Sequence, residues 1–171
     1  MTEQTSISEA TLIGSEREQL EAFLEDNRSE LAATLDGLTE EQARRSLVPS
    51  LTTPLGLVKH ATYVERMWFQ FSLLGRTRAE LGLTEDADDS FRPTADDSIA
   101  SIAVDFAAAC DESRAAAAGY GLDDLALHNR RGPLPLRGVY VHMVEELARH
   151  AGHADILREQ ILAADLPRDR V

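Results

Sequence analysis

The last long segment of the chain most constrains its fold, because it predicts one continuous helix from Pro135 to Ala164. Proline costs no hydrogen bond at the first position of a helix, so Pro135 can open it. About 30 residues at about 1.5 Å each give a helix about 45 Å long. One face of this helix is apolar and must be covered by other helices, and its members are Val139, Met143, Leu157 and Ile161.

Two earlier long helices are bounded by capping signals. In each, apolar residues recur at helical spacing between a polar N-terminal cap and a glycine that stops the helix. The first helix starts at the Ser15–Glu18 capping box and is stopped by Gly37. The second starts at Thr53-Pro54 and runs to about Leu74, where Gly75 stops it. The apolar face of the first comprises Leu20, Phe23, Leu24, Leu31 and Leu35. A short helical turn is predicted over Thr39–Arg45, between these two helices.

A third long helix is predicted to begin at a cap on Thr94 or Asp96 and to end near Gly119. Its expected buried face comprises Ile99, Ile102, Ala103, Phe106 and Cys110. Residues 76–95 have no helical period and predict an acidic loop, while 122–134 predict a polar connection without a β-hairpin pair. Four long amphipathic helices joined by loops indicate an all-α four-helix bundle.

The overall composition bounds the class of protein. A length of 171 residues favours a single domain over 1–171, with residues 1–13 as a flexible arm. A net charge of −13 repels phosphate backbones, so we expect no nucleic-acid partner. The single cysteine and the absence of a signal-peptide pattern or a long apolar run predict a cytoplasmic protein with no membrane partner.

Ionisable side chains lie on the apolar faces of two of the predicted helices. An α-helix turns about 100° per residue, which places Val64, Met67 and Phe71 within about 80° of His60. Arg66 and Gln70 then fall on the opposite side, where solvent is expected. The same construction places His150 and His153 beside Glu146 on the last helix. Because an unpaired buried charge is costly, a shared ligand would relieve that cost.

A divalent metal ion is the ligand that these residues suit. Glu146 and His150 are four residues apart, so both project from one helical face, and His60 can add a third ligand from a facing helix. Two histidines and one carboxylate favour zinc, with nickel, iron or manganese as alternatives, and leave a coordination position open. A satisfied core histidine is the competing interpretation for His60 alone.

The remaining candidates have less specific signals. His153 is a candidate second-shell or alternative ligand, and His142 could line the mouth of the site; both are candidate catalytic proton carriers. His128 lies in a polar loop and is expected to be solvated, as are Asp86–Asp89. Cys110 is expected to be a small core residue rather than a nucleophile.

The segments TTPLGLVKHATYVERMWF and LRGVYVHMVEELARHAGHADILRE resemble the DinB/YfiT-like superfamily, and the similarity extends from the first helix to the last. The resemblance implies an up-down-down-up four-helix bundle, often dimeric, with a divalent metal bound by His60, Glu146 and His150. Many relatives carry histidine where this chain has Glu146, although the mycothiol-dependent maleylpyruvate isomerase of the superfamily has glutamate there. The resemblance also implies chemistry with mycothiol, bacillithiol or glutathione.

Three functions follow as hypotheses. The first is a metal-dependent thiol S-transferase or isomerase that acts on a small electrophile with a low-molecular-weight thiol as cosubstrate. The second is a metal-dependent hydrolase with a water nucleophile. The third is a non-enzymatic metal-binding stress protein. A homodimer through bundle faces is expected, with a monomer kept apart by its negative charge as the alternative.

Overall fold

The computed structural model describes residues 6–165 of the chain. The elements, in chain order, are α1 (Ile7–Ala10), α2 (Glu16–Ala33), α3 (Glu40–Ala43), α4 (Pro54–Glu65), a π-helical segment (Arg66–Leu73), a 3₁₀ turn (Ala87–Phe91), α5 (Ile99–Ala117), β1 (Leu125–Ala126), β2 (Leu134–Pro135) and α6 (Leu136–Ala164). The all-α architecture predicted from the sequence is confirmed.

Local capping chemistry determines where most of the helices begin. Ser15 and Thr39 form capping boxes with Glu18 and Gln42, in which the hydroxyl and the third-position side chain each satisfy a free backbone N–H. The Thr53 hydroxyl accepts from the Gly56 amide at the start of α4, and Pro54 occupies the first helical position. These three predicted starts are confirmed.

The long helices pack in two pairs around one apolar core. α2 packs chiefly against α6, α4 packs against α5, and α4 also contacts α6. The predicted face of α6 is buried, whereas Phe23 of α2 is 44% exposed, contrary to prediction. The largest core side chains are Leu24, Leu31, Leu55, Leu57, Phe69, Leu136, Met143, Leu147 and Ile161.

A buried ion pair joins α2 to α4. Arg28 donates through Nε to Glu65 Oε1 at 2.8 Å and through Nη2 to Glu65 Oε2 at 2.7 Å. Glu65 is 0% exposed and Arg28 is 5% exposed. The parallel bonds satisfy both charges in the core, and the negative charge of Glu65 helps to raise the pKa of Arg28 against the opposing effect of burial.

The second long helix changes its hydrogen-bonding pattern after Glu65, where α4 gives way to the π-helical segment. In a π-helix each residue turns less about the axis than in an α-helix, because the backbone bonds span five residues instead of four. The prediction that Gln70 faces solvent is wrong. Gln70 is buried, and its amide donates to the Glu112 carbonyl at 2.9 Å, because α5 covers this side of the segment.

The third long helix begins later than predicted. Ser98 is the N-cap of α5, in a capping box with Ser101, so the predicted caps at Thr94 and Asp96 are wrong. Thr94 instead donates its backbone amide to Asp97 Oδ2 at 2.6 Å, within a turn that precedes the helix. Ile102, Phe106 and Cys110 are buried as predicted, but Ala103 is exposed.

The polar connection predicted over residues 122–134 contains most of a short β-ladder. β1 and β2 form an antiparallel ladder in which Leu125 faces Pro135 and Ala126 faces Leu134, so the expectation of no hairpin is wrong. Two residues per strand are too few to produce a visible alternation in the sequence. Pro135 is the N-cap residue of α6, so the helix begins at Leu136, one residue later than predicted.

The N-terminal region contacts α2 where it is described. Residues 1–5 of the predicted arm lie outside the described range, while Ile7–Ala10 form α1 behind a Ser6 capping box. The Ile7 and Ser8 amides each donate to the Asp26 carboxylate at 2.9 Å.

Across residues 6–165, the helices all fall short of the length or the hydropathy that crossing a bilayer would need.

Candidate metal centre

The structure brings His60, Glu146 and His150 together, as the helical spacing predicts. His60 projects from α4, and Glu146 and His150 project one turn apart from α6. One potential ligand atom from each residue lies within 4.8 Å of the other two. Glu146 Oε1 is 3.3 Å from His60 Nε2 and 3.0 Å from His150 Nε2, so both rings present the same nitrogen to one carboxylate oxygen.

The 3₁₀ turn determines which nitrogen of His60 carries its proton. The Ser90 hydroxyl donates to the Ala87 carbonyl, which leaves its oxygen to accept from His60 Nδ1–H at 2.7 Å. His60 Nε2 then carries a lone pair and lies beside a carboxylate oxygen, which is also an acceptor. Two acceptors at 3.3 Å repel each other unless a cation or a proton lies between them. This donor set therefore fits a metal ion.

The environment also favours the protonation states that metal ligands need. Burial lowers the pKa of His60, which keeps its imidazole neutral near pH 7. The hydrogen bond from His150 holds the pKa of Glu146 well below its usual range. A neutral imidazole and an ionised carboxylate are the ligand forms of these groups. His150 Nδ1 has no hydrogen-bond partner among residues 6–165, so only His60 is oriented by a second side chain.

An aromatic side chain from the same turn covers His60. The Phe91 ring is stacked on the imidazole with centroids 3.7 Å apart and planes 14° apart. Gly56 allows this approach, because a Cβ at that position would lie 2.5 Å from the Phe91 carbonyl oxygen. The acidic loop predicted over residues 76–95 thus supplies Ser90 and Phe91 to the site. The expectation of no helical structure is wrong at the 3₁₀ turn Ala87–Phe91, whereas Asp86–Asp89 are exposed, as expected.

An open cleft of about 1000 Å³ adjoins the three residues, and His60 and Glu146 contribute to its lining. One wall is aromatic and comes from the second long helix, through Tyr63, Trp68 and Phe71. His142 of α6 also lines the cleft, and its ring contacts Trp68 with centroids 4.4 Å apart. Burial lowers the pKa of His142, so this ring is neutral at pH 7.

The loop between β1 and β2 forms another part of the lining. Residues 128–131 of this loop line the cleft, and the backbone amide of His128 donates to the Ser72 carbonyl at 3.1 Å. The ring of His128 packs directly over Gly75, whose φ of +75° and missing Cβ both suit this close approach. The loop is therefore attached to the bundle at its ladder and at the end of the π-helical segment.

The other candidate residues are separated by the structure. His142 lines the cleft, whereas His153 is exposed and is not among the lining residues, although its ring centroid is 5.9 Å from that of His150. Cys110 is buried in α5, and burial raises the pKa of its thiol to about 12. Sequence reasoning missed Ser90 and Phe91, because a five-residue 3₁₀ turn in an acidic loop carries no periodic signal.

Comparison with known proteins identifies the family. The profile of the Mycothiol-S-transferase family matches residues 19–163, which include nearly all of the four long helices and the three candidate ligands. The chain therefore belongs to this family, as the resemblance to DinB-like proteins and their mycothiol-related enzymes indicated. A search of curated proteins found no match.

Proposed function

We propose that this member of the mycothiol S-transferase family is a divalent-metal-dependent enzyme that transfers a low-molecular-weight thiol, such as mycothiol, to a small electrophile. The observation that carries the proposal is the convergence of His60, Glu146 and His150 beside a cleft large enough for two small substrates. Family membership supports the thiol, and the convergence supports the metal.

The metal would be held by His60 Nε2, His150 Nε2 and the Glu146 carboxylate. Two nitrogens and one oxygen suit zinc, and three protein ligands are the number typical of a catalytic zinc site. When bound, the ion would supply positive charge that lowers the pKa of a thiol at the open position. Ser90 and Phe91 would keep His60 in the orientation and the tautomer that binding requires.

The other lining residues would handle the proton and exclude water. His142 is neutral and lines the same cleft as His60 and Glu146, so its free nitrogen can accept the proton that leaves the thiol. The sulfur then forms a bond to the electrophilic carbon, and the leaving group departs with its bonding electron pair. Tyr63, Trp68 and Phe71 would hold the apolar part of the acceptor away from water.

Elemental analysis tests the metal site. His60→Ala should lose stoichiometric zinc while far-UV circular dichroism remains helical, since one ligand is removed from a preformed bundle. His153→Ala is the matched control, because His153 is a histidine of α6, the helix of the other two ligands, but is exposed and outside the cleft. Full zinc retention in His60→Ala would contradict the assignment.

A conjugation assay tests the reaction. The purified protein is loaded with zinc, and consumption of 1-chloro-2,4-dinitrobenzene is followed with mycothiol, bacillithiol and glutathione in parallel. We expect acceleration with at least mycothiol, and a loss of turnover of about 10²-fold in His142→Ala if that ring transfers the proton. A rate equal to the uncatalysed mixture with all three thiols would reject the S-transferase.

Glu146 offers a second test of the metal environment. A carboxylate partly neutralises the bound cation, so Glu146→His should leave the site more positive. The variant should therefore have a lower apparent KM for the thiol while zinc is retained. His150→Ala should lose both zinc and turnover. A higher apparent KM for the thiol in Glu146→His at full zinc occupancy would contradict this account.

A further inference from the structure

Three arginines line the cleft of a strongly acidic protein. Arg78 lies after the π-helical segment, and Arg130 and Arg131 lie in the loop between β1 and β2. The chain as a whole has a net charge of −13, so a local group of positive charges is not what composition predicts. Arginines concentrated at one cleft of an acidic protein attract anionic ligands to that cleft.

The arginines of the cleft differ from those elsewhere in their partners. Arg66 binds Asp105 at 2.6 Å and Arg114 binds Glu25 at 2.6 Å, as examples of ion pairs outside the cleft. Within residues 6–165, the guanidinium groups of Arg130 and Arg131 make neither an ion pair nor a hydrogen bond. Their charges are therefore free to meet a ligand.

Arg78 is fixed in place without being neutralised. Its Nη1 donates to Tyr63 Oη at 2.9 Å and to the Thr84 carbonyl at 2.7 Å. Its guanidinium also lies 5.6 Å from the Phe71 ring centroid, in a cation–π contact. Both oxygens are uncharged acceptors, so a full positive charge is held against the aromatic wall of the cleft.

Three acidic residues line the same cleft and balance the formal charge of the three arginines: Glu146, which belongs to the candidate ligand cluster, and Glu85 and Asp86. In the described part of the chain none of the three pairs with an arginine of the cleft. Asp86 is occupied locally, since its carboxylate caps the 3₁₀ turn by accepting from the Asp88 amide at 3.0 Å. Among residues 6–165, the charged donors of the cleft lining without a partner are therefore the guanidinium groups of Arg130 and Arg131, and a guanidinium group binds a carboxylate with two parallel bonds.

We infer that the electrophilic acceptor is a carboxylate-bearing molecule, and that Arg130 and Arg131 are the residues that determine this specificity. The inference rests on the proposed function, because it assigns a chemical class to the second substrate of that reaction. Arg78 supports the same charge from the aromatic wall. The acceptor's reactive carbon would then lie toward His60 and Glu146, with its carboxylate toward the β1–β2 loop.

Two matched acceptors test the inference. Both 1-chloro-2,4-dinitrobenzene, which is neutral, and 4-chloro-3,5-dinitrobenzoate, which is an anion, form a C–S bond and release chloride with its electron pair. The double variant Arg130→Gln/Arg131→Gln should raise KM for the benzoate about tenfold, as expected when charged hydrogen bonds are lost, and leave KM for the neutral acceptor unchanged. Arg149→Gln is the control, because Arg149 is exposed, pairs with Glu145 and lies outside the cleft lining.

The same assay separates the acceptor from the thiol as the source of the charge. If the arginines bind the thiol instead, the double variant raises the thiol's KM equally with both acceptors, and the inference is overturned. An equal change in KM for both acceptors, or no change for the benzoate, overturns it as well.

A binding measurement keeps the inference testable without turnover. Trp68 is the single tryptophan of the chain and lines the cleft, so its fluorescence reports ligands bound there. We expect 4-nitrobenzoate to quench it with a lower Kd than nitrobenzene, and the double variant to raise that Kd about tenfold. Equal affinity for the two quenchers would overturn the inference. Selective benzoate binding without conjugation of either acceptor would reject the proposed function and leave the anion site standing.

Discussion

Removing one charge from the buried pair between Arg28 and Glu65 should destabilise the fold more than any change to a surface ion pair. Glu65→Gln preserves the size of the side chain but leaves the Arg28 guanidinium buried without its main counter-charge. Breaking a buried pair in this way costs about 3–5 kcal/mol. Glu25 still accepts from Arg28 Nη1 at 2.6 Å, so we expect the lower end of that range.

The expected loss is large relative to the stability of a domain. About 3 kcal/mol is a substantial part of a total of about 5–15 kcal/mol. For a chain of this length it corresponds to a fall in Tm of about 6–12 °C. Urea unfolding followed by far-UV circular dichroism measures the free energy of unfolding, and a chelator should be present so that metal binding does not mask the change.

Two further variants make the result specific. Glu145→Gln removes a charge from the exposed pair with Arg149 and should change the free energy of unfolding by less than about 1 kcal/mol. Replacing both Arg28 and Glu65 by methionine removes both charges and should recover most of the loss. A Glu65→Gln variant within about 1 kcal/mol of the parent would refute the reasoning, because the pair would then contribute no more than a surface pair.

Three other predictions follow from the site and the core. Ser90→Ala removes the acceptor that orients His60, so zinc affinity should fall about 10–100-fold in a chelator competition, and an unchanged affinity would show that Ser90 does not orient the ligand. Because burial raises the pKa of Cys110 to about 12, Ellman's reagent should label it on the order of a thousandfold more slowly in the folded than in the urea-unfolded protein; comparable rates would show that the thiol is accessible. A homodimer through bundle faces is expected, and light scattering that gives the monomer mass at all micromolar concentrations would exclude it.

Features that depend on neighbouring residues in the chain were predictable from the sequence. The caps at Ser15, Thr39 and Thr53 act within one helical turn, and the end of α6 at Ala164 follows from its period. The pairing of Glu146 with His150 is equally local, because residues four apart on a helix share a face. The helical period also identified His60 as the third member of the cluster.

Features that depend on contacts between distant segments were not predictable. Phe91 covers His60 from a segment without periodicity. The residues next to Gln70 in the sequence do not indicate that α5 buries the Gln70 side chain. The π-helical segment cannot be predicted by placing residues around a helix axis at about 100° per residue, because that angle assumes α-helical geometry. The positions of Arg130 and Arg131 at the cleft depend on a ladder of two residues per strand, which is too short to leave a pattern.

The change from α to π geometry after Glu65 divides the second long helix into two parts with separate rotational phases. His60 belongs to the first part, while Trp68 and Phe71 belong to the second. Deleting one residue from Arg66–Leu73 is expected to restore α-helical bonding there, which would rotate Trp68 and Phe71 about the axis and leave His60 in place. Single-residue insertions and deletions in this segment are thus expected to change the aromatic wall of the cleft while the metal ligands keep their positions.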